Sequence, residues 1–257
     1  MHSRTLTSHL PDFDRAGVLF SGGADSAALL FLLSRHIELE RLVALHADTP
    51  LAEGWERTAC EHVCANLGVQ LIVTKVDTLA VEGVRMNSRM RCYACKSEIA
   101  AALLAEGRCA EVDIFLEGTT AQEAAGDRPG MRALAESGIY SPFTKFDISR
   151  NEIREYAIAA GLAPGVRSGS CMATRLPTDM PLNVTHMNRL RFIERKFRET
   201  GFRLVRARLQ NDHLTVLVQT GSDEHDRLSD DCELLQELSD ATPYSVKKHP
   251  KPYEGIQ

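Results

Sequence analysis

The fold of this chain is decided near its beginning by residues 17–33, which read GVLFSGGADSAALLFLL. An apolar, strand-like run at 17–20 leads into the loop 21–26, and an apolar helical pattern follows. Two adjacent glycines let the backbone turn tightly and approach an anion. The helix then directs its first N–H groups and the positive end of its dipole at the same point. The stretch therefore predicts a phosphate-binding loop, and since no lysine follows it is not a Walker-A loop.

Five of the six residues of this loop have an expected role. The hydroxyls of Ser21 and Ser26 and the backbone N–H groups of Gly22 and Gly23 are expected to donate hydrogen bonds to phosphate oxygens. The Asp25 carboxylate is expected to hold a Mg²⁺ ion that bridges those oxygens. ATP and Mg²⁺ are therefore the first expected ligands. The alternative is an ordinary Ser-Gly-Gly turn, in which Asp25 is merely favoured by the helix dipole.

The hexapeptide 21–26 resembles the Ser-Gly-Gly-x-Asp-Ser signature of the PP-loop ATP pyrophosphatases. The resemblance implies an enzyme that cleaves ATP between the α and β phosphates and adenylates a substrate oxygen. Nitrogen or sulfur then replaces that oxygen.

Composition limits the remaining possibilities. The chain has 257 residues, 44% of them hydrophobic, which is enough for one large or two smaller domains with a core. A formal net charge of −5 disfavours nucleic acid as a partner. Residues 1–15 lack the apolar core of a secretory signal and no later segment reaches membrane-spanning length, so we expect a cytoplasmic protein with no membrane partner. Seven cysteines in such a protein indicate metal-binding or catalytic thiols rather than disulfides.

Apolar runs and helical patterns alternate through the first part of the chain. Strands are predicted at 16–20, 41–46, 70–76 and 111–116, and helices at 25–34, 53–67, 96–106 and 149–160. This alternation predicts an α/β fold with a doubly wound parallel sheet. The resemblance to the PP-loop family implies that this sheet is of the PP-loop or HUP-like kind. Ligands of such sheets bind beyond the carboxyl ends of the strands. His46, Asp48, Gly118 and Thr119 all fall there, so we expect them to bind the nucleotide together with the loop 21–26.

The rest of the chain has a different pattern. A stretch rich in Pro, Gly, Ser and Thr is followed by a predicted helix at 185–200, strands at 203–210 and 213–220, and a helix at 222–238. We therefore expect three parts: a PP-loop domain at 1–165, a cysteine-bearing loop or linker at 166–182, and a small α+β substrate or oligomerisation domain at 183–257.

Three cysteines stand out by their spacing. Cys92 and Cys95 lie in NSRMRCYACK (87–96) at a loop-to-helix boundary, so both thiols can face one metal centre. A Cys-x-x-Cys pair alone is equally compatible with half of a structural zinc site or with two buried thiols. Cys171 lies in SGSCMATRLP (168–177), where cations such as Arg175 would lower the thiol pKa.

Several short motifs occur in a fixed order over roughly residues 16–177. They are Asn-x-x-x-Arg-Cys-Tyr-x-Cys-Lys at 87–96, Glu-Gly-Thr at 117–119, Asp-Arg-Pro-Gly at 127–130, Ser-Pro at 141–142, Glu-Ile-Arg at 152–154 and Ser-x-Ser-Cys-x-Ala-Thr-Arg-Leu-Pro at 168–177. This set resembles the LarE family of ATP-dependent sulfur transferases. The resemblance implies adenylation of a small nucleotide-like carboxylate, a pyridinium dicarboxylate mononucleotide, and its conversion to a thiocarboxylate on the way to the nickel-pincer nucleotide cofactor. It also implies a homo-oligomer.

The resemblance implies two ways of supplying sulfur. In some members the cysteine matching Cys171 gives up its own sulfur, and in others three cysteines hold a [4Fe-4S] cluster with one open iron. The presence of Cys92, Cys95 and Cys171 favours the cluster type. Three thiolates leave one iron exchangeable, whereas a structural zinc ion normally takes four protein ligands. The predicted catalytic residues are Cys171, Asp25, Arg175 and Arg128, the last of which would position nucleotide or substrate or else form a surface ion pair.

Other classes of function stay open at this point. A cluster-dependent tRNA thiolase also joins a PP-loop to three cysteines, but the acidic net charge counts against it. An amide-forming synthetase of the NAD or GMP type would use ammonia and would not need the cysteines. A zinc-stabilised nucleotide-binding module would show no turnover.

Overall fold

The computed structural model describes residues 10–121, 129–145, 148–162, 171–229 and 232–252. The chain divides into two compact units, one of residues 1–84 and 90–170 and the other of residues 85–89 and 171–257. The segment 85–89 therefore joins the second unit, although the sequence analysis placed it in the first domain. The functions expected for 1–165, 166–182 and 183–257 stay predictions.

The first unit is built on a four-stranded sheet. Its strands are β1 (Ala16–Leu19), β2 (Leu42–Asp48), β3 (Gln70–Lys75) and β4 (Ile114–Leu116). They lie in the order β3-β2-β1-β4 and all run parallel. β1 is central, with Val18 opposite Ala44 on one side and Leu116 on the other. Residues on both of its faces are buried, as is typical of parallel strands covered by helices.

Helices cover both faces of this sheet. They are α1 (Ala24–Ser34), α2 (Gly54–Leu67), α4 (Arg91–Cys109), α5 (Pro129–Glu136) and α6 (Arg150–Ala159), and the short helix α3 (Glu82–Arg85) lies between β3 and α4 in the sequence. One hydrophobic cluster joins α1, α2 and α6 to one face, and a second joins α4 and α5 to the other. The predicted doubly wound α/β fold is therefore confirmed. No helix in the described ranges combines the length and the apolar composition needed to cross a membrane.

Local sequence signals set several helix ends. α2 ends at Gly68, whose φ of 71° is the left-handed conformation favoured in glycine. α6 begins with the capping box expected from its sequence: the Ser149 hydroxyl accepts from the Glu152 N–H, and the Glu152 carboxylate accepts from the Ser149 N–H. α1 is buried almost all round, because it lies between the sheet and the neighbouring helices.

The second unit is a small α+β structure. It contains α7 (Val184–Glu199), β5 (Val205–Leu209), β6 (Thr215–Thr220), α8 (Glu233–Ala241) and β7 (Ser245–Lys248). The sheet order is β5-β6-β7, with β5 antiparallel to β6 and β6 parallel to β7. The smaller C-terminal α+β domain expected from the sequence is therefore confirmed.

The predicted continuous helix over 222–238 is wrong. A 3-10 turn occupies His225–Arg227, and α8 begins only at Glu233. The cause is Glu224, whose buried carboxylate accepts hydrogen bonds from the backbone N–H groups of Arg203 (2.9 Å) and Leu204 (3.2 Å). These bonds hold the chain after β6 against the start of β5, which a continuous helix would not allow.

A fully buried ion pair lies in the core of the second unit. The Arg175 guanidinium donates to both oxygens of Glu194, at 2.7 and 3.3 Å, and both side chains are 0% exposed. Glu194 also accepts from the Ala207 N–H of β5 (3.0 Å) and from Arg198 (2.9 Å). One carboxylate therefore joins the 3-10 turn Met172–Arg175, α7 and β5.

Replacing Glu194 with Leu should strongly destabilise the protein, because the buried charge of Arg175 would lose the carboxylate that balances it. We expect a loss of about 3–5 kcal/mol in the free energy of unfolding, measured by urea unfolding. Arg175→Met combined with Glu194→Leu should recover part of that loss. Glu199→Leu, which removes an exposed carboxylate on the same helix, is the control. If Glu194→Leu and Glu199→Leu lowered the free energy of unfolding equally, the buried ion pair would not have the stabilising role described here.

Candidate functional site

The loop between β1 and α1 has the geometry of an anion-binding turn. Gly22 has a φ of 80°, and a Cβ placed there would lie 2.7 Å from the Glu56 carbonyl oxygen. The hydroxyl oxygens of Ser21 and Ser26 are 3.1 Å apart. Gly23 is the N-cap of α1 and offers no side-chain cap to the first turn. The start of this helix therefore has the form that binds phosphate groups.

A second backbone segment lies directly against this loop. A Cβ on Gly118 would be 2.8–2.9 Å from the backbone carbonyl of Asp25 and from the Ser26 nitrogen. Only glycine lets the chain after β4 approach the first turn of α1 so closely. The structure thus brings Asp25, Ser26, Gly118 and Thr119 to one place, as the sequence analysis expected from their positions after the strands.

Glu117 holds this second segment in place. Its buried carboxylate accepts hydrogen bonds from the Thr119 N–H (3.0 Å), the Thr119 hydroxyl (2.6 Å) and the Ser141 hydroxyl. No role for Glu117 follows from the sequence pattern alone. Its place in the Glu-Gly-Thr motif, next to Gly118, was the available signal.

His46 lies beneath the loop 21–26. It is 2% exposed, and its Nδ1 is 2.9 Å from the Phe20 carbonyl oxygen and 3.3 Å from the Cys60 sulfur. Burial raises the pKa of the Cys60 thiol, so that thiol stays protonated at neutral pH. The described contacts of His46 hold the backbone of Phe20, the residue before Ser21. Its role in binding the nucleotide stays a prediction.

Asp48 lies at the carboxyl end of β2 and is partly exposed. Its carboxylate is 3.4 Å from the guanidinium of Arg57 on α2. Its expected contact with the nucleotide is likewise a prediction.

The cysteine pair begins α4. Cys92 is exposed and Cys95 is partly exposed, both near the N-terminus of the helix. Residues three apart lie on the same side of a helix, so the two thiols can face one ligand. A Cβ on Gly130 would lie 3.3 Å from the Cys92 carbonyl oxygen, which shows how closely α5 approaches this turn.

Tyr93, between the two cysteines, ties this turn to α5. Its hydroxyl donates to Glu136 (2.6 Å), and the Arg132 guanidinium lies 5.1 Å from its ring centroid. The hydrogen bond to Glu136 raises the pKa of Tyr93. These contacts leave the tyrosine neutral and fix the start of α4 on α5.

Cys171 is exposed in the second unit, at the N-cap of the turn Met172–Arg175. Arg175 follows it closely in sequence, but its guanidinium is bound to Glu194 inside the core. The described contacts of Arg175 thus give it a structural role, and its catalytic role stays a prediction. Arg128 lies outside the described residues.

No three His, Cys, Asp or Glu side chains in the described ranges form a group suited to a metal ion. The common centre expected for Cys92, Cys95 and Cys171 therefore stays a prediction.

Replacing Gly118 with Ala should destabilise the first unit. The added methyl group would meet the backbone of Asp25 and Ser26, which cannot rotate away as a side chain can. We expect a loss of about 1–3 kcal/mol in the free energy of unfolding. Gly54→Ala is the control, because a Cβ there meets nothing within 4 Å. Equal stability of the two variants would show that the close approach at Gly118 is not required.

Comparisons with known proteins add to this geometry. No protein-family model matches the chain. The chain is 27% identical over 212 residues to the pyridinium-3,5-bisthiocarboxylic acid mononucleotide synthase of Lactiplantibacillus plantarum, an alignment covering 81% of this chain and 76% of the synthase. It is also 27% identical over 177 residues to an uncharacterized protein of Methanocaldococcus jannaschii, covering 69% and 67% of the two chains.

A more partial likeness connects the chain to tRNA(Ile)-lysidine synthases. It is 29% identical over 147 residues to the tRNA(Ile)-lysidine synthase of Actinobacillus pleuropneumoniae, covering 54% of this chain and 34% of that enzyme. The motifs, the parallel sheet and these relatives agree, and they confirm that the chain resembles the PP-loop ATP pyrophosphatases and, within them, the LarE-type sulfur transferases.

Proposed function

We propose that this protein is an ATP-dependent sulfur transferase that adenylates a substrate carboxylate and replaces one of its oxygens with sulfur. The reaction would serve the biosynthesis of a nickel-pincer nucleotide cofactor. The observation that carries the proposal is the close approach of Gly118 to the first turn of α1, next to the Ser-Gly-Gly loop. Similarity to the bisthiocarboxylic acid mononucleotide synthase over 81% of the chain supports the choice of substrate class.

In this proposal ATP binds with its β and γ phosphates in the loop 21–26. The loop N–H groups, the two serine hydroxyls and the N-terminus of α1 would hold the phosphates and stabilise the negative charge that grows on the leaving pyrophosphate. Asp25 would hold Mg²⁺, which when bound neutralises phosphate charge. The adenosine part would lie along the ends of β2 and β4, near Asp48 and Thr119.

The reaction begins when a substrate carboxylate oxygen attacks the α phosphorus. The bond from that phosphorus to the bridging oxygen of pyrophosphate breaks, and an acyl-adenylate results. Sulfide then attacks the activated carbon, and AMP leaves with the oxygen. Holding the sulfur source beside that carbon replaces a bimolecular encounter and keeps water from competing.

The cysteines fit an iron–sulfur cluster by their chemistry and exposure. Cys92, Cys95 and Cys171 are all at least partly exposed, and the first two lie near the start of one helix. Three thiolates would ligate three irons of a [4Fe-4S] cluster and leave the fourth iron open. When bound, such a cluster would supply the sulfide. Sacrifice of the Cys171 sulfur is the alternative source within the same reaction.

The likeness to tRNA(Ile)-lysidine synthases does not favour an RNA substrate. It covers only 34% of that enzyme, and the formal net charge of this chain is −5. Our proposal includes the homo-oligomer that the family resemblance implies.

The purified protein should release pyrophosphate from ATP only when the pyridinium dicarboxylate mononucleotide is present, and thiocarboxylate product should be found by mass spectrometry. Asp25→Asn should slow pyrophosphate release by roughly 100-fold, because it removes the carboxylate expected to hold Mg²⁺. Asp12→Asn, at an exposed position, is the control. Release that depends on ammonia and yields an amide would instead establish an amide synthetase.

Anaerobic reconstitution with iron and sulfide should load one [4Fe-4S] cluster per chain. Replacing Cys92, Cys95 or Cys171 with Ser should each abolish that loading, since each removes one thiolate ligand. Cys109→Ser and Cys232→Ser test cysteines outside the proposed centre and should leave it intact. Iron and acid-labile sulfide analysis measures the outcome. Dehydroalanine at Cys171 after turnover, without iron, would establish the sacrificial route instead.

A further inference from the structure

Asn87 is the first residue of the motif that contains the cysteine pair, and the function proposed above gives it no role. Its side chain is completely buried, and its φ is 52°, a left-handed conformation that Asn tolerates better than most residues. It lies in the segment 85–89, which the chain contributes to the second unit. Cys92 follows it by only five residues in sequence.

The Asn87 amide is surrounded by backbone carbonyls of the turn after Cys171. Its Nδ2 donates to the carbonyl oxygen of Pro177 (2.8 Å) and lies 3.4 Å from those of Ala173 and Leu176. Three acceptors around one NH₂ group fix the orientation of the amide. Its Oδ1 is buried and makes no hydrogen bond within the part of the chain that the structure describes. The donor end of the side chain therefore makes the contacts.

Backbone hydrogen bonds strengthen this connection. The Asn87 carbonyl accepts from the Asp179 N–H (3.0 Å), and the Arg85 carbonyl accepts from the Leu182 N–H (2.7 Å). Backbone hydrogen bonds thus connect the segment 85–89 to the residues that follow Cys171.

The turn held by Asn87 is itself rigid. Met172 and Ala173 are buried, and the Cys171 carbonyl accepts from both the N–H (2.9 Å) and the hydroxyl (2.7 Å) of Thr174. The thiol of Cys171 is exposed at the N-terminal end of this turn. Whatever fixes the turn therefore also limits where that thiol can be.

We propose that Asn87 is a positioning residue of the three-cysteine centre, which ties the turn of Cys171 to the segment that leads into Cys92. This inference rests on the proposed function. Cys92 and Cys171 are 79 residues apart in sequence, so bringing their thiols together costs chain entropy unless a link is already present. A link at Asn87 leaves only four residues between that anchor and Cys92, which raises the effective concentration of one thiol near the other.

Crosslinking of the metal-free, full-length protein tests the role of Asn87. Dibromobimane, a short reagent that joins two thiols, should link Cys171 to Cys92 or Cys95 in the wild type, as seen by peptide mapping. Asn87→Gly keeps a residue suited to positive φ but removes the amide. Asn87→Asp places a carboxylate against three carbonyl oxygens. Both should reduce crosslinking about tenfold, since they remove the hydrogen bonds that hold the turn.

Asn183→Ala is the matched control. The Asn183 side chain caps α7 in the same unit by accepting from the Thr185 N–H (2.7 Å), so its loss destabilises the unit without touching the Cys171 turn. The crosslinking yield of this variant should equal that of the wild type when both are measured at one temperature at which both proteins are folded. In reconstituted protein, the two Asn87 variants should also release iron to a chelator about tenfold faster than this control.

The outcomes separate the two proposals. Asn87 variants that crosslink and retain iron like the wild type overturn the role of Asn87, while iron loading of the wild type leaves the proposed cluster standing. A wild type that takes up no iron but crosslinks in an Asn87-dependent way overturns the cluster and supports the positioning role. Equal losses in the Asn87 variants and in Asn183→Ala would reduce Asn87 to a structural residue and overturn the proposal.

Discussion

The first unit depends on one close contact between two backbones, that of Gly118 after β4 and that of Asp25 and Ser26 at the start of α1. Parallel strands bring their carboxyl ends to one edge of a sheet, but they do not by themselves bring two loops into contact. Gly118 allows this contact because it has no side chain. Gly22 allows a similar close contact between the loop 21–26 and α2. The Glu117 carboxylate then holds the approaching segment through Thr119 and Ser141. As a result, the segment after β4 lies beside the first turn of α1, at the end of the helix whose dipole favours an anion.

The second unit meets a different constraint, because it buries a charge. Arg175 and Glu194 lose their hydration completely, and that cost is offset only when the remaining donors and acceptors are also satisfied. Glu194 meets this condition by accepting hydrogen bonds from Arg198 and from the Ala207 N–H. Arg175 follows Cys171 by only four positions in sequence, but this does not mean that its charge acts on the Cys171 thiol. Here the cation faces its carboxylate in the core while the Cys171 thiol is exposed.

Sequence alone predicted the parts of this fold that depend on local patterns. The apolar runs gave the four strands of the parallel sheet, and the Ser149–Glu152 spacing gave the start of α6, because each signal lies within a few residues. The helix expected over 222–238 failed since Glu224 binds backbone groups about twenty residues earlier in the chain. β7 was not predicted from the sequence, because it is a short edge strand of sequence SVKK with only one buried apolar side chain. The partner of Arg175 could not be predicted either, because it depends on how α7 packs. The motifs likewise identified the residues of the loop 21–26, but not the support from Glu117.

Burial sets two cysteines of this chain, Cys60 and Cys64, apart from the other five. Cys60 and Cys64 lie one helical turn apart in the core of the first unit, and burial raises the pKa of Cys64 to about 12. A thiol held protonated at neutral pH is a poor nucleophile and a poor metal ligand, so these two act as small apolar residues despite their proximity. Cys92, Cys95 and Cys171 are at least partly open to solvent, and each lies near the start of a helical turn. Cys109 is also exposed but is the last residue of α4, at the opposite end of the helix from Cys92 and Cys95. Exposure together with position at the start of a helical turn therefore separates Cys92, Cys95 and Cys171 from Cys60, Cys64 and Cys109. Cys232 is partly exposed and is the N-cap of α8, so it meets both criteria and differs from the three only by lying outside the sequence motifs.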